Sequence, residues 1–266
     1  MEFLKVVRKK SFLSELTYAL LNIGLAVAVT LIIYYTSSMF LALLAVIISK
    51  WRVFAVRPRY WWANLRSNMV DFTVSASVVI HMYGIHVSNL PDSSKLPIMV
   101  ALTILYIGWL LFLKPRSKRS YVIAQAGVAI FMGSTALFTA WYDWLVSVVV
   151  IGMWINAFTA AQHALSSYEE ETHTIFLSLV WAFIVAEISW VAYHWAVAYP
   201  LPFLGGVLIP QVSIAVTLLS FLAYKMYDSL HKHDKVRSTD VLMPLLFTIG
   251  IILIMLVAFN QVGSAI

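Results

Sequence analysis

The chain lacks cysteine altogether and has little charge of either sign. With no Cys in 266 residues, disulfides, thiol nucleophiles, thiolate metal sites and S-acylation are all excluded. Charged residues make up 11% of the chain, against about 25% in a soluble domain. That is too few to cover a globular protein of this size. Carboxylates are the scarcer sign, with 12 Asp and Glu against 18 Lys and Arg, so any acid within an apolar run stands out. Gly and Pro number only 10 and 8, which excludes a collagenous or low-complexity chain. No Walker loop, Gly-rich dinucleotide fingerprint or His-Glu-x-x-His motif occurs.

What fills the chain is hydrocarbon. Hydrophobic residues reach 62%, against about 45–50% in soluble domains. The solvent is therefore lipid, and the expected class is all-α, a polytopic transmembrane helical bundle. No long polar block interrupts it, so residues 1–266 read as a single membrane domain with short loops. A span takes roughly 20 apolar residues. By that measure about nine are expected, at 16–35, 39–54, 67–87, 96–113, 121–140, 144–165, 174–197, 205–224 and 241–260. The second is short and reads as either a full crossing or a half-span. The basic start at Lys5, Arg8, Lys9 and Lys10 is followed by no small-residue cleavage site, so the first span is expected to be uncleaved.

The net charge of +6 does not point to nucleic acid, because the cations fall in short clusters between apolar runs. Nine crossings place four clusters on one side, holding four, five, four and four Lys or Arg residues. That is 17 of the 18, with Lys95 alone opposite. The positive-inside rule then predicts an N-in, C-out orientation in a cell membrane, either a bacterial-type inner membrane or a plasma membrane. Trp141, Tyr142, Trp144, Trp195 and Tyr199 fall at the outer interface. Trp51, Tyr60, Trp61 and Trp62 fall at the inner one, as an aromatic belt requires.

Polar residues inside spans are the first candidates for chemistry, since an intramembrane acid needs a proton, a partner or water. Glu187 lies in the aromatic run Val180–Trp195, on one helical face with Trp190 and His194. Counted from the ends of their spans, Glu187, His81 and Asn156 fall at similar depth. This suggests an ion or substrate pathway in which Glu187 binds a proton or cation, His81 and Asn156 orient it, and Trp190 walls the site. The plainer alternative is that these groups tie helices together. Asp71, four residues into the third expected span, reads as a cap or a partner for an inner arginine. His86 and His194 fall at the outer interface.

Two further stretches carry signals. Glu170 and His173 have the E-x-x-H spacing of helical carboxylate-bridged metal sites, and His163, His231 and His233 lie in neighbouring segments. Such sites need two copies of the motif plus two further Glu. The stretch reads better as a capping box from Ser167 to Glu170 that lengthens the seventh helix. Neither metal nor cofactor is expected. In Arg57–Arg66, Pro58 opens a short interfacial helix, and Arg57, Arg59, Trp61, Trp62 and Arg66 suit lipid headgroups. That segment is either an anchor or a seat for a phosphorylated lipid. Helix breakers at Gly205-Gly206, Pro210 and Pro244 complete the set.

Three roles remain open: a transporter or permease built around Glu187, an enzyme acting on a lipid-linked substrate at the cytoplasmic interface, and a non-catalytic subunit packed against a membrane partner. The partners implied are the lipid bilayer, a small-molecule, ion or lipid substrate, and a membrane protein, with no nucleic acid.

Overall fold

A computed structural model describes residues 12–142, 144–168, 171–195, 197–200, 208–258 and 264–265. Nine α-helices occur among them: α1 (Phe12–Thr36), α2 (Met39–Ser49), α3 (Trp61–Val87), α4 (Asp92–Gly108), α5 (Arg119–Ala140), α6 (Val146–Leu165), α7 (Thr174–His194), α8 (Gln211–His233) and α9 (Ser238–Ala258). A π turn, Trp109–Leu113, continues α4. Three short strands, β1 (Val197–Pro200), β2 (Leu208–Pro210) and β3 (Ser264–Ala265), form an antiparallel sheet in the order β2-β1-β3.

Helices dominate because a chain in hydrocarbon must satisfy its backbone within each segment. Seven helices are long and apolar enough to cross a bilayer: α1, α3 with the turn before it, α4 with its π turn, α5, α6, α7 and α9. The chain is built for a lipid bilayer. The other two helices differ. With 11 residues, α2 is about 16 Å long, roughly half the hydrocarbon thickness. The 23-residue α8 is long enough, but its last turns carry Lys225, Asp228, His231, Lys232 and His233 and dilute its hydropathy.

Several boundaries move from their expected places. The second helix stops at Ser49 rather than residue 54, and 3₁₀ turns at Trp51–Val53 and Pro58–Tyr60 follow it. The third begins at Trp61 rather than 67. The segment Arg57–Arg66 is therefore no separate interfacial helix: Pro58 starts a 3₁₀ turn and Trp61 onward is the foot of α3. In the eighth, β2 precedes Gln211 and the helix runs on to His233; Gly205-Gly206 lie outside the described residues. No capping box lengthens α7, which starts at Thr174 with His173 as its cap residue. Ser167 instead donates back to the Ala164 carbonyl at 2.7 Å, closing α6, while Glu169 and Glu170 lie outside the described residues. The N-terminal cations Lys5, Arg8, Lys9 and Lys10, and Asn260, also lie outside them.

The bundle has two cores. One is contributed by α1–α4, with Val29, Ile33, Val46, Met82, Met99 and Tyr106 fully buried. The other belongs to α5–α8, around Phe138, Val149, Met153 and Val185. The two are joined where α3 packs on α5, and α9 lies outside against α8. Close approach relies on small residues, as expected without a hydrophobic drive between helices in lipid. Ser178, Ala182, Val185, Ala186 and Ser189 form the buried side of α7. The α1–α2 turn is tight because Ser37 takes a left-handed conformation (φ 50°) and Ser38 accepts from the Leu41 amide at 3.3 Å.

Candidate functional site

The end of α2, the foot of α3, the end of α4, the start of α5, the end of α6 and the end of α8 meet at one end of the bundle. Side-chain bonds link them in sequence, and they bring the basic clusters at 50–66, 114–119 and 225–237 to a single face.

Asp71 is the centre of that face. It lies ten residues beyond the start of α3 and is 7% exposed. Its Oδ2 accepts from Lys50, the residue that caps α2, and from Lys114 Nζ at 2.7 Å. Its Oδ1 accepts from Trp109 Nε1 at 3.1 Å. Asp71 was expected to be a cap or the partner of an inner arginine; the structure supplies two lysines and an indole, Lys50 from the end of α2 and both Trp109 and Lys114 from the π turn that closes α4. The π turn makes the double contact from α4 geometrically feasible. Residues five apart on an α-helix are separated by about 140°, whereas the 2.9 Å bond from the Lys114 amide to the Trp109 carbonyl widens the turn and brings both to one side.

Gln125 holds the far end of the π turn. Its Nε2 donates to the carbonyls of Leu113 at 2.7 Å and Arg116 at 3.0 Å, satisfying groups a helix end leaves open. Its Oε1 pairs with His163 Nε2 at 2.8 Å, which assigns the proton to that nitrogen. A polar cavity of about 130 Å³ opens among Asn68, Asp71, Trp109, Lys114, Gln125 and His163. On the other side of Asn68, an apolar groove of about 240 Å³ runs between α2 and α3, lined by Ile47, Val53, Phe54, Leu65, Met69 and Phe72, with Lys50 in its wall. Trp61 Nε1 donates to the carbonyls of Phe54 and Val56, both at 3.0 Å, and fixes the loop that edges this groove.

A second network braces the same face. Tyr168 donates to Asp228 Oδ1 at 3.1 Å, beneath the Arg119 guanidinium, which lies 4.2 Å from its ring centre. Lys232 Nζ reaches Asp228 Oδ2 at 2.6 Å. Tyr227 hydrogen-bonds Glu171, and His231 packs on both Tyr168 and Tyr227. Burial, then the Asp228 charge, pushes the Tyr168 phenol upward. The Tyr227 hydroxyl, then the His173 amide at 2.5 Å, hold the Glu171 carboxyl below its usual range.

Of the residues of the expected pathway, His81 and Asn156 meet the same turn of α5, and Glu187 does not join them. Asn156 is buried, donating to the Ile130 carbonyl at 3.3 Å, and its Oδ1 has no hydrogen bond. His81 is half-buried and meets the Met132 carbonyl on the same turn of α5. Glu187 points the other way: it is exposed on the outer side of α7, with Trp190 52% exposed beside it. Among the described residues no hydrogen bond joins Glu187 to His81 or Asn156. Arg57, Arg59, Trp61 and Trp62 are exposed, Arg66 is half-exposed, and Arg59 stacks on Tyr60 at 4.6 Å.

Among the described residues no group of three His, Asp or Glu side chains is placed to hold a metal ion, and Glu170 of the E-x-x-H pair lies outside them. His163 is committed to Gln125, and His233 pairs with Asp240 at 3.5 Å. Sequence reasoning passed over Lys50, Lys114, Trp109 and Gln125. The available signal was a lysine directly after each of two apolar runs. No protein-family model, curated protein or solved structure matches the chain.

Proposed function

We propose that this protein takes up an anionic amphiphile, a lipid or lipid-linked molecule, at its basic face. The headgroup would lie by Lys50 and Lys114 and the apolar chain along the α2–α3 groove. The reading rests on one observation: Lys50 lines the apolar groove while its ammonium reaches the Asp71–Lys114 pair beside the polar cavity. Two ammonium groups share one carboxylate, leaving one positive charge uncompensated within that trio, in surroundings of low polarity where an anion is strongly attracted. The exposed cations and indoles of 57–66 stand at the edge of the same groove, as a headgroup-binding segment requires. His163 in the polar cavity supplies a group for acid–base work on such a substrate.

This favours the lipid-directed enzyme over a permease built around Glu187, which faces outward from the bundle. The accompanying topology is a single membrane domain of nine crossings in a cell membrane, N-terminus cytoplasmic. In this reading the short α2, continued by the 3₁₀ turns after it, and the long α8 would supply the two crossings beyond the seven apolar ones. The gathering of the basic clusters at one end supports that orientation.

The test is native mass spectrometry of delipidated protein titrated with phosphatidylglycerol, phosphatidylcholine or inorganic phosphate. Wild type is expected to retain phosphatidylglycerol preferentially. Lys50→Gln, which keeps the Asp71–Lys114 pair, is expected to lose the preference. Equal retention of both lipids by wild type, or an unchanged preference in Lys50→Gln, sinks the proposal. Retention of phosphate alone identifies a free anion as the ligand.

A further inference from the structure

The outer side of α7 presents a carboxylate to hydrocarbon. Glu187 lies thirteen residues from Thr174 and seven from His194, about 20 Å and 10 Å from the two helix ends. The residues around it on that side are large and apolar: Val180, Phe183, Ile184, Trp190 and Val191 are all 42–60% exposed. The opposite side of α7, with its small residues, is already committed to the bundle. Among the described residues, Glu187 is the single Asp or Glu that is both exposed and at least seven residues from either end of its helix. A bare carboxylate at that depth is strongly disfavoured, and the group is too short to reach the interface.

We infer that the outer side of α7 docks a transmembrane helix of another protein, one that carries a Lys or Arg at the depth of Glu187. Charge complementarity selects the occupant. A second copy joined through α7 would set Glu187 against itself, and the rest of the described chain offers no cation at that depth. Among the described residues, its Lys and Arg lie in the end turns of helices, in loops, or on the basic-side half of α8. The His194 ring stacks edge-on with Trp190 at 5.1 Å and closes the outer end of the strip. A basic helix laid there replaces lipid with an ion pair formed in hydrocarbon, where each charge lacks an alternative partner. The inference is independent of the lipid site, which lies on other helices.

The experiment uses the full chain in bilayers with a labelled poly-Leu transmembrane peptide bearing one central Lys, and an all-Leu control. Energy transfer from a donor on the protein reports association. The Lys peptide is expected to associate about five- to thirty-fold more strongly than the control, the range for interhelical polar contacts of about 1–2 kcal/mol. Glu187→Leu is expected to abolish that difference while leaving Tm unchanged, because the side chain is exposed on the outer side of α7. Equal association of the two peptides, or an unchanged preference in Glu187→Leu, overturns the inference. So does efficient Val191→Cys disulfide cross-linking between copies at low protein-to-lipid ratio, which would show that a second copy covers the strip.

Discussion

At the scale of single residues, Asp71 holds together two ammonium groups that otherwise repel. Asp71→Asn keeps the shape and the bond from Trp109 but removes the charge, leaving Lys50 and Lys114 facing a neutral amide. Breaking a buried pair in this way costs about 3 kcal/mol, toward the low end because Lys114 retains access to water. A marked fall in Tm is expected, partly restored when Lys50→Met is added. The Tyr227–Glu171 bond makes a pH-dependent contribution. It lowers the folded-state pKa of Glu171, so its stabilisation is fully present above the unfolded carboxylate value of about 4.3 and disappears as pH falls through the lower folded value. Tyr227→Phe is thus expected to melt slightly earlier than wild type at pH 7, with the difference closing in acid. A constant difference across that range would contradict the assignment.

Between elements, the joint of α5 and α6 depends on one missing methyl. A Cβ on Gly133 would stand 2.5–2.8 Å from the Asn156 side chain, closer than van der Waals contact allows. Gly133→Ala is expected to cost roughly 1–3 kcal/mol by overpacking, and Asn156→Ala in the same chain is expected to relieve most of it. A simple sum of two losses in thermal unfolding would show that the residues do not share the joint. The π turn is a second joint. Inserting one alanine after Leu111 would carry Lys114 about a further 100° round the helix relative to Trp109, separating the two donors from Asp71. The expected outcome is a loss of stability similar to that of Asp71→Asn, measured in the same melt. Neither joint was legible in the sequence: Gly133 is one of 10 glycines, and nothing in Trp109–Leu113 distinguishes a π turn from the helix it extends.

For the molecule as a whole, the absence of cysteine makes orientation directly measurable. Ser93, in the first turn of α4, and Ser117, in the loop before α5, are exposed at opposite ends of the bundle. With the N-terminus inside, Ser117→Cys is expected to react with an impermeant maleimide only from the cytoplasmic side, and Ser93→Cys only from the outside; the reverse pattern would invert the topology. The amino-acid sequence by itself determined the solvent, the helical class, the approximate position of most spans and the gathering of the three described basic clusters at one end. Each of these follows from local hydropathy and from the need of every span to satisfy its own backbone. Hydropathy reports depth but not which way a helix is rotated, and that rotation decided the rest. It turned Glu187 outward, set His81 of α3 and Asn156 of α6 against one turn of α5, and carried Asp71 into the space between α2 and α4. Side chains that face bilayer and bundle are both apolar, so no contrast with water marks the inner face. Packing of small residues and the meeting of charges made that choice.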